Sequence, residues 1–599
     1  MYSFIFILLF GNFASASLVD NRGFNPHWNN KLSAFWGHEF VGADLANEEL
    51  FPYLDQLQTV LVATQEEVNL EEVPDGILSE ELIDRKMHLH SSATRNSGLD
   101  LKSGEHGTRV MSIHSNAFST GVALTAKYVG IGAGKNSSEI SQFADLIVER
   151  KVRLVHASHT MPRVDMKEFL KTISSAGVIL VRSSGNEFPE SWSNGLGLES
   201  EIKVGNLSYW GGMDATSTEF KDVTISAPGI NYSTAHGKTE PFGGTSGAVP
   251  LVSGCISNAL SLIPDLTSKE VRILLLKTAI PTLNFEDEIK LNGAGTLNCY
   301  KLIAVVLRLR ESWPESRDQI SKDSLIYDFS RKIEEYLNQT HEDLSSCDQE
   351  CKFKALRKAF LLDPHNQTLA LKLATTYNEL GYTGNALLYE SMIGFDRSRL
   401  EEFLAKSKTE DPGEGLRKKH RFSLFRLVGR VYPKILGDLL MNDSLDREDY
   451  YHALSSYLCC SQDKEELQKL FLDRFKKGRV GYGFVERYIN LGFSGVPVLN
   501  ICRQELAVES RYSDFKLPCL IAALATFRQD PNIAAEFIDE QLSNMEFKNY
   551  TKSIILNRDS IDGMIDFNFA ISEISKNSQW AHEEKIEFEE YLEFMNRYI

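Results

Sequence analysis

The sequence has little that would suit it to nucleic acid, to a bilayer or to a zinc site. Of its 599 residues, 64 are basic and 82 acidic, which leaves a formal net charge of −18. That balance argues against nucleic acid or an anionic membrane surface as a main partner. No stretch is long and apolar enough to read as a transmembrane helix. The eight cysteines, at 255, 299, 347, 351, 459, 460, 502 and 519, include no CxxC pair. Cys347 and Cys351 are close enough in sequence to form a disulfide in an exported chain, whereas Cys255 and Cys299 read as buried thiols. The acidic stretch Glu66 to Asp84 lacks the ligand order of a calcium loop and reads as a solvated face. His90, His114, His156 and His159 have no partner at metal-ligand spacing and read as non-catalytic. No metal or other cofactor is expected; structural calcium is not indicated.

What remains is an ordinary globular composition, 42% hydrophobic and 24% charged. The length implies two or more domains, each able to bury a core. Phe4 to Phe10 is an apolar run too short to span a bilayer, and Ala14-Ser15-Ala16 has the small-residue form of a signal-peptidase site. Residues 1–16 are therefore expected to be a signal peptide and the chain exported, periplasmic or secreted. No Lys or Arg precedes the run, and without such a signal the chain would be cytoplasmic.

The chemistry is expected around Gly244-Thr245-Ser246-Gly247-Ala248-Val249-Pro250. Ser246 sits between small residues and an apolar run that reads as a helix to Ile263. Free backbone N–H groups at a helix start can face a developing negative charge. A serine needs a base, and His106 in His106-Gly107-Thr108 is the candidate. Ser183-Ser184-Gly185-Asn186 offers a side-chain amide after an apolar strand. Between His106 and Ser246 the pattern alternates. Ala123 to Ile131, Arg153 to His159 and Val178 to Ser184 read as strands; 137–151 and 165–176 read as helices. Such alternation implies α/β architecture, a parallel sheet with helices on both faces and catalytic groups at the C-terminal strand ends.

These motifs, in the order His, Asn, Ser, resemble the subtilisin-like serine proteases (the subtilase family), whose patterns run HGTxV, A/S-GN and GTSxAxP. Further matches follow. Leu154-Val155-His156-Ala157-Ser158 resembles the family's V-I-N-x-S strand, which makes Ser158 a substrate-binding residue. Ile225-Ser226-Ala227-Pro228-Gly229 resembles its A-P-G turn, and Gly293-Ala294-Gly295-Thr296-Leu297-Asn298 its closing segment. The resemblance implies a serine endopeptidase acting on protein or peptide substrates. Ser246 would attack, His106 would act as base, and Asn186 with the Ser246 N–H would hold the oxyanion. The acid has two candidate places. Thr59 to Thr64 is a good strand, but it continues into Gln65-Glu66-Glu67 and carries no Asp. Val19-Asp20-Asn21-Arg22-Gly23-Phe24 resembles the family's VxD-xG segment, with one residue inserted. The reading takes Asp20 as the orienting acid, with Glu66 or Glu67 as the alternative. Residues 45–100 then become an acidic insertion in a peptidase domain spanning 17–307. Two departures stand out: HGTRV for the usual HGTHV, and GTSGAVP for GTSMAAP. An impaired domain kept as a binding scaffold is the alternative to an active enzyme.

Beyond residue 307 glycine and proline thin out and helical spacing takes over. Residues 355–392, with Asp363-Pro364-His365-Asn366 between two amphipathic helices, resemble one tetratricopeptide-like repeat. The stretch 308–599 is accordingly expected to be a solenoid-like, all-α domain, and a candidate surface for a protein partner.

Overall fold

Strands form in this chain where apolar runs are short and β-rich, and helices where apolar residues recur three and four apart. In a computed structural model these elements assemble as follows. The description covers residues 35–542 apart from 79–104, 132–136, 159–162, 187–199, 282–292, 322–327, 341–347, most of 394–463, parts of 479–491 and scattered loop positions. Residues 1–34 and 543–599 lie outside it, and with them the signal-peptide reading and Asp20.

Two helices open the described chain, α1 (Trp36–Val41) and α2 (Ala43–Leu50), followed by a 3-10 turn at Phe51–Gln56. Then come β1 (Val60–Thr64), α3 (Glu105–His114), β2 (Ala126–Ile131), α4 (Ser137–Glu149), β3 (Leu154–Ala157), α5 (Arg163–Ser175) and β4 (Ile179–Ser183). They lead to β5 (Glu201–Leu207), β6 (Ile225–Pro228), the hairpin β7 (Asn231–Ala235) and β8 (Lys238–Phe242), and α6 (Thr245–Leu262). The six strands β1 to β6 form one sheet in the order β2-β1-β3-β4-β5-β6, and every pair is parallel. This is the α/β fold expected, with helices on both faces. Alternation along β3 and β4 divides the side chains. Leu154, Ile179 and Val181 join the core that includes α6, while Val155, Leu180 and Ala157 pack with Ile147 of α4 and Leu170 of α5.

One correction concerns β1. Residues 60–64 fall inside the stretch expected to be an acidic insertion, yet they lie between β2 and β3 in the sheet. A strand paired on both sides is part of the framework, and the run Val60-Leu61-Val62-Ala63 supplies the apolar faces this position needs.

A second correction concerns Cys255 and Cys299, which are bonded to each other rather than free. Cys255 lies in the middle of α6 and Cys299 opens α8 (Cys299–Glu311), which follows α7 (Ser268–Thr278). Their Cα atoms are 5.6 Å apart, within bonding range. Cys351 is disulfide-bonded too.

The expected boundary near 307 does not mark the end of this core. After α9 (Arg317–Ser321) and α10 (Ser330–Gln339), helices α11 (Gln349–Leu362), α12 (Gln367–Glu379) and α13 (Thr383–Ile393) join the same hydrophobic cluster as α1, α2 and α6. Arg357 of α11 is buried and pairs with Asp44 at 2.7 Å, and Asn298 donates to the Leu361 carbonyl. The compact unit extends to Leu424. Within it, Asn366 caps α12 by accepting from the Leu369 N–H. The apolar faces of α11 and α12 are covered by the core shared with α1, α2 and α6, so no second repeat is needed to bury them.

Residues 425–599 form a second unit. Its described helices are α14 (Lys464–Lys476), α15 (Val496–Leu506), α16 (Tyr512–Thr526) and α17 (Pro531–Leu542). Cys502 and Cys519 bond α15 to α16, and Phe471, Phe475 and Tyr488 stack in its core.

Candidate active site

In a parallel sheet the chain leaves every strand at the same edge, so residues just beyond β1, β3 and β4 gather there. Glu66 follows β1, Ser158 follows β3 and Asn186 follows β4. His106 lies in the first turn of α3 and Ser246 in the first turn of α6.

The carboxylate that meets His106 is Glu66. The imidazole donates from Nδ1 to Glu66 Oε2 at 3.0 Å. The other carboxylate oxygen, Oε1, accepts the Ser158 N–H at 2.7 Å. Glu66 is buried, whereas the His106 side chain is 44% exposed and faces solvent. One oxygen is thus anchored to the sheet edge and the other aims at the ring. Asp20, the orienting acid expected from the sequence, lies outside the described residues. Phe242, at the end of β8, packs edge-on against the His106 ring at 5.2 Å.

Ser246 is buried at the N-terminus of an 18-residue helix. Its hydroxyl donates to the Ser158 carbonyl at 3.0 Å, and Ser158 Oγ returns a bond to the Ser246 carbonyl at 3.2 Å. The two residues are laced together, and Ser246 makes no hydrogen bond to His106 in this state. Asn186 is exposed. Its Oδ1 accepts from both the Thr245 N–H, at 2.9 Å, and the Thr245 hydroxyl, at 3.1 Å. With the amide oxygen so held, the NH₂ end remains as a donor.

Two glycines shape the turn around Ser246. Gly244 caps α6 with φ 79°, a conformation that costs other residues strain. Gly247 is needed because the space beside its Cα is already filled. A Cβ there would intrude on the Gly229 carbonyl oxygen and lie 3.2 Å from that of Phe242. Backbone cannot yield as a side chain does. Gly247→Ala is expected to cost about 1–3 kcal/mol by overpacking. It should also slow modification of Ser246 by a serine-directed probe at least tenfold; stability and labelling rate unchanged from wild type would refute the account.

The unusual arginine of HGTRV also has a visible role. Arg109 is buried, donates twice to Glu105 one turn back, and reaches Ser233 Oγ at 3.2 Å. It fastens α3 to the β7–β8 hairpin. His114 and His156 are buried and hydrogen-bonded; His90 and His159 lie outside the described residues. Among the described residues no cluster of metal-ligating side chains occurs, and no helix is long and apolar enough to cross a membrane.

No curated protein matches the chain. Among solved structures, the prenylagaramide maturation protease PagA is similar at 18% identity, over 43% of this chain and 97% of that one, with a TM-score of 0.33. A family model matches residues 78–301, a span that includes His106, Asn186 and Ser246 and begins beyond Glu66. That family is the Subtilase family, and the match supports a serine-type peptidase.

Proposed function

We propose that the chain is a serine endopeptidase whose triad is Ser246, His106 and Glu66. The observation that carries the proposal is the 3.0 Å bond between His106 Nδ1 and Glu66 Oε2, at the sheet edge where α6 presents Ser246. A carboxylate at Nδ1 fixes the tautomer that leaves Nε2 free to accept a proton, and it stabilises the imidazolium that then forms. Glutamate is one methylene longer than aspartate, and the Ser158 N–H restrains the added length. In the reaction Ser246 Oγ leaves the Ser158 carbonyl, turns to His106 and attacks the scissile carbonyl. His106 takes its proton and later gives it to the leaving amine. Asn186 Nδ2 and the Ser246 N–H stabilise the oxyanion. Substrates are peptides or proteins, and Ser158 helps to line their site.

The second reading is a catalytically impaired domain that binds without cleaving, its helical regions serving a protein partner. It is favoured by the bond from the Ser246 hydroxyl to the Ser158 carbonyl, which commits the hydroxyl proton to the backbone rather than to the base. A fluorophosphonate probe separates the two. The proposal expects labelling of the wild-type chain that Ser246→Ala abolishes. A folded wild type that takes no label would favour the impaired domain.

The Cys255–Cys299 and Cys502–Cys519 bonds suit an oxidising compartment, which supports export.

A further inference from the structure

Beneath the site lies a chain of buried polar side chains that the proposed mechanism does not use. His114 Nε2 meets Ser257 Oγ at 3.1 Å, and its Nδ1 meets the Tyr128 hydroxyl at 2.8 Å. The same hydroxyl meets His156 Nε2 at 2.8 Å, and His156 Nδ1 meets Thr64 Oγ1 at 3.4 Å. The two imidazoles stack at 4.9 Å. Ser257 is 2% exposed and the other four have no exposed surface. Polar groups are costly to bury unless satisfied, and here every link is satisfied with both rings neutral. The proton order can run either way. If Tyr128 donates to His114, then His114 donates to Ser257, His156 to Tyr128 and Thr64 to His156. In the opposite order every donor becomes an acceptor.

What distinguishes this chain is where its members come from. Thr64 ends β1, two residues before Glu66, and His156 lies on β3, two residues before Ser158. His114 ends α3, which carries His106, and Ser257 lies on α6, which carries Ser246. The backbone joins in, since the Gln65 N–H donates to the His156 carbonyl at 3.0 Å. Four elements that present the site thus each contribute one side chain, and Tyr128 of β2 closes the circuit.

The geometry points to this Ser257–His114–Tyr128–His156–Thr64 chain as a positioning device that holds Glu66, His106 and Ser246 in mutual register. It rests on the triad reading above. Its residues touch no substrate. They act by fixing the end of β1 against α3 and α6, and small misplacements of catalytic groups are costly in rate.

The test is the kinetics of fluorophosphonate labelling, resolved into the probe's binding constant and its limiting rate of bond formation. Tyr128→Phe keeps the ring and removes both central bonds. The expected result is a limiting rate lowered about tenfold, with the binding constant within about twofold of wild type. Thr64→Val removes the last link without changing volume and should slow the same step. Thr64→Ser restores the hydroxyl and should restore the rate. Thermal unfolding of each variant shows that folded protein is compared. Labelled wild type with Tyr128→Phe and Thr64→Val equal to it in limiting rate would overturn the positioning role alone. So would failure of Thr64→Ser to recover what Thr64→Val loses. Wild type that takes no label would overturn the triad reading, and the positioning role with it.

Discussion

Glu66→Gln is expected to lower the rate of peptide-bond hydrolysis, or of fluorophosphonate labelling, about 10⁴-fold, while Asp20→Asn leaves both unchanged. The size follows from what the carboxylate does. Glutamine preserves the shape of Glu66 and can still accept the Ser158 N–H. Its amide can also present NH₂ to His106, which then favours the wrong tautomer and leaves Nε2 protonated. Even with the right tautomer, no negative charge offsets the imidazolium. Loss of the acid from a Ser–His–Asp site costs about this much in subtilisin and in chymotrypsin-like enzymes. The residual rate should come from the oxyanion donors at Asn186 and Ser246. The control decides the assignment: a large loss in Asp20→Asn with little change in Glu66→Gln would transfer the role to Asp20.

Three residues of the proposed site stand out in the sequence because their motifs carry backbone constraints. Gly244 needs its positive φ, Ser246 needs a helix start, and Asn186 needs the end of a strand. The carboxylate that meets His106 was harder to see. Val60 to Ala63 has the composition of a sheet strand, but a glutamate two residues beyond its end looks like any surface glutamate. Only the pairing of β1 with both β2 and β3 makes it central. An Asp20 segment with a familiar pattern competed with it and carried no such pairing information. The disulfide between Cys255 and Cys299 was hidden for a related reason. Spacing along the chain does not report that the middle of one helix meets the start of another. Arg357 and Asp44, 313 residues apart, show the same limit for the domain boundary. Helical periodicity located α11 and α12, but it does not say what covers their apolar faces.

The largest effect on stability should come from acid. Burial lowers the pKa of His38 and of His156 from 6.5 to about 4, and it lowers that of His114 well below the ordinary range. Each ring is neutral in the folded protein where the unfolded chain would already bind a proton. Between about pH 6.5 and pH 4 the unfolded state therefore holds more protons, so unfolding becomes more favourable as pH falls. With both values lowered to about 4, His38 and His156 together remove stability on the order of several kcal/mol by pH 4. That is comparable with the whole stability of many domains, roughly 5–15 kcal/mol. The compact unit to Leu424 should be most stable above pH 6.5 and should unfold cooperatively before pH 4. Proton uptake should accompany the transition. Urea titrations at pH 7.5, 6, 5 and 4.5 measure the slope. His38→Gln keeps a donor for the Thr120 carbonyl, which His38 Nε2 meets at 2.9 Å, and removes one titrating group. Its stability should fall less steeply with acid than that of wild type. Equal slopes would mean that His38 is not held neutral by the fold.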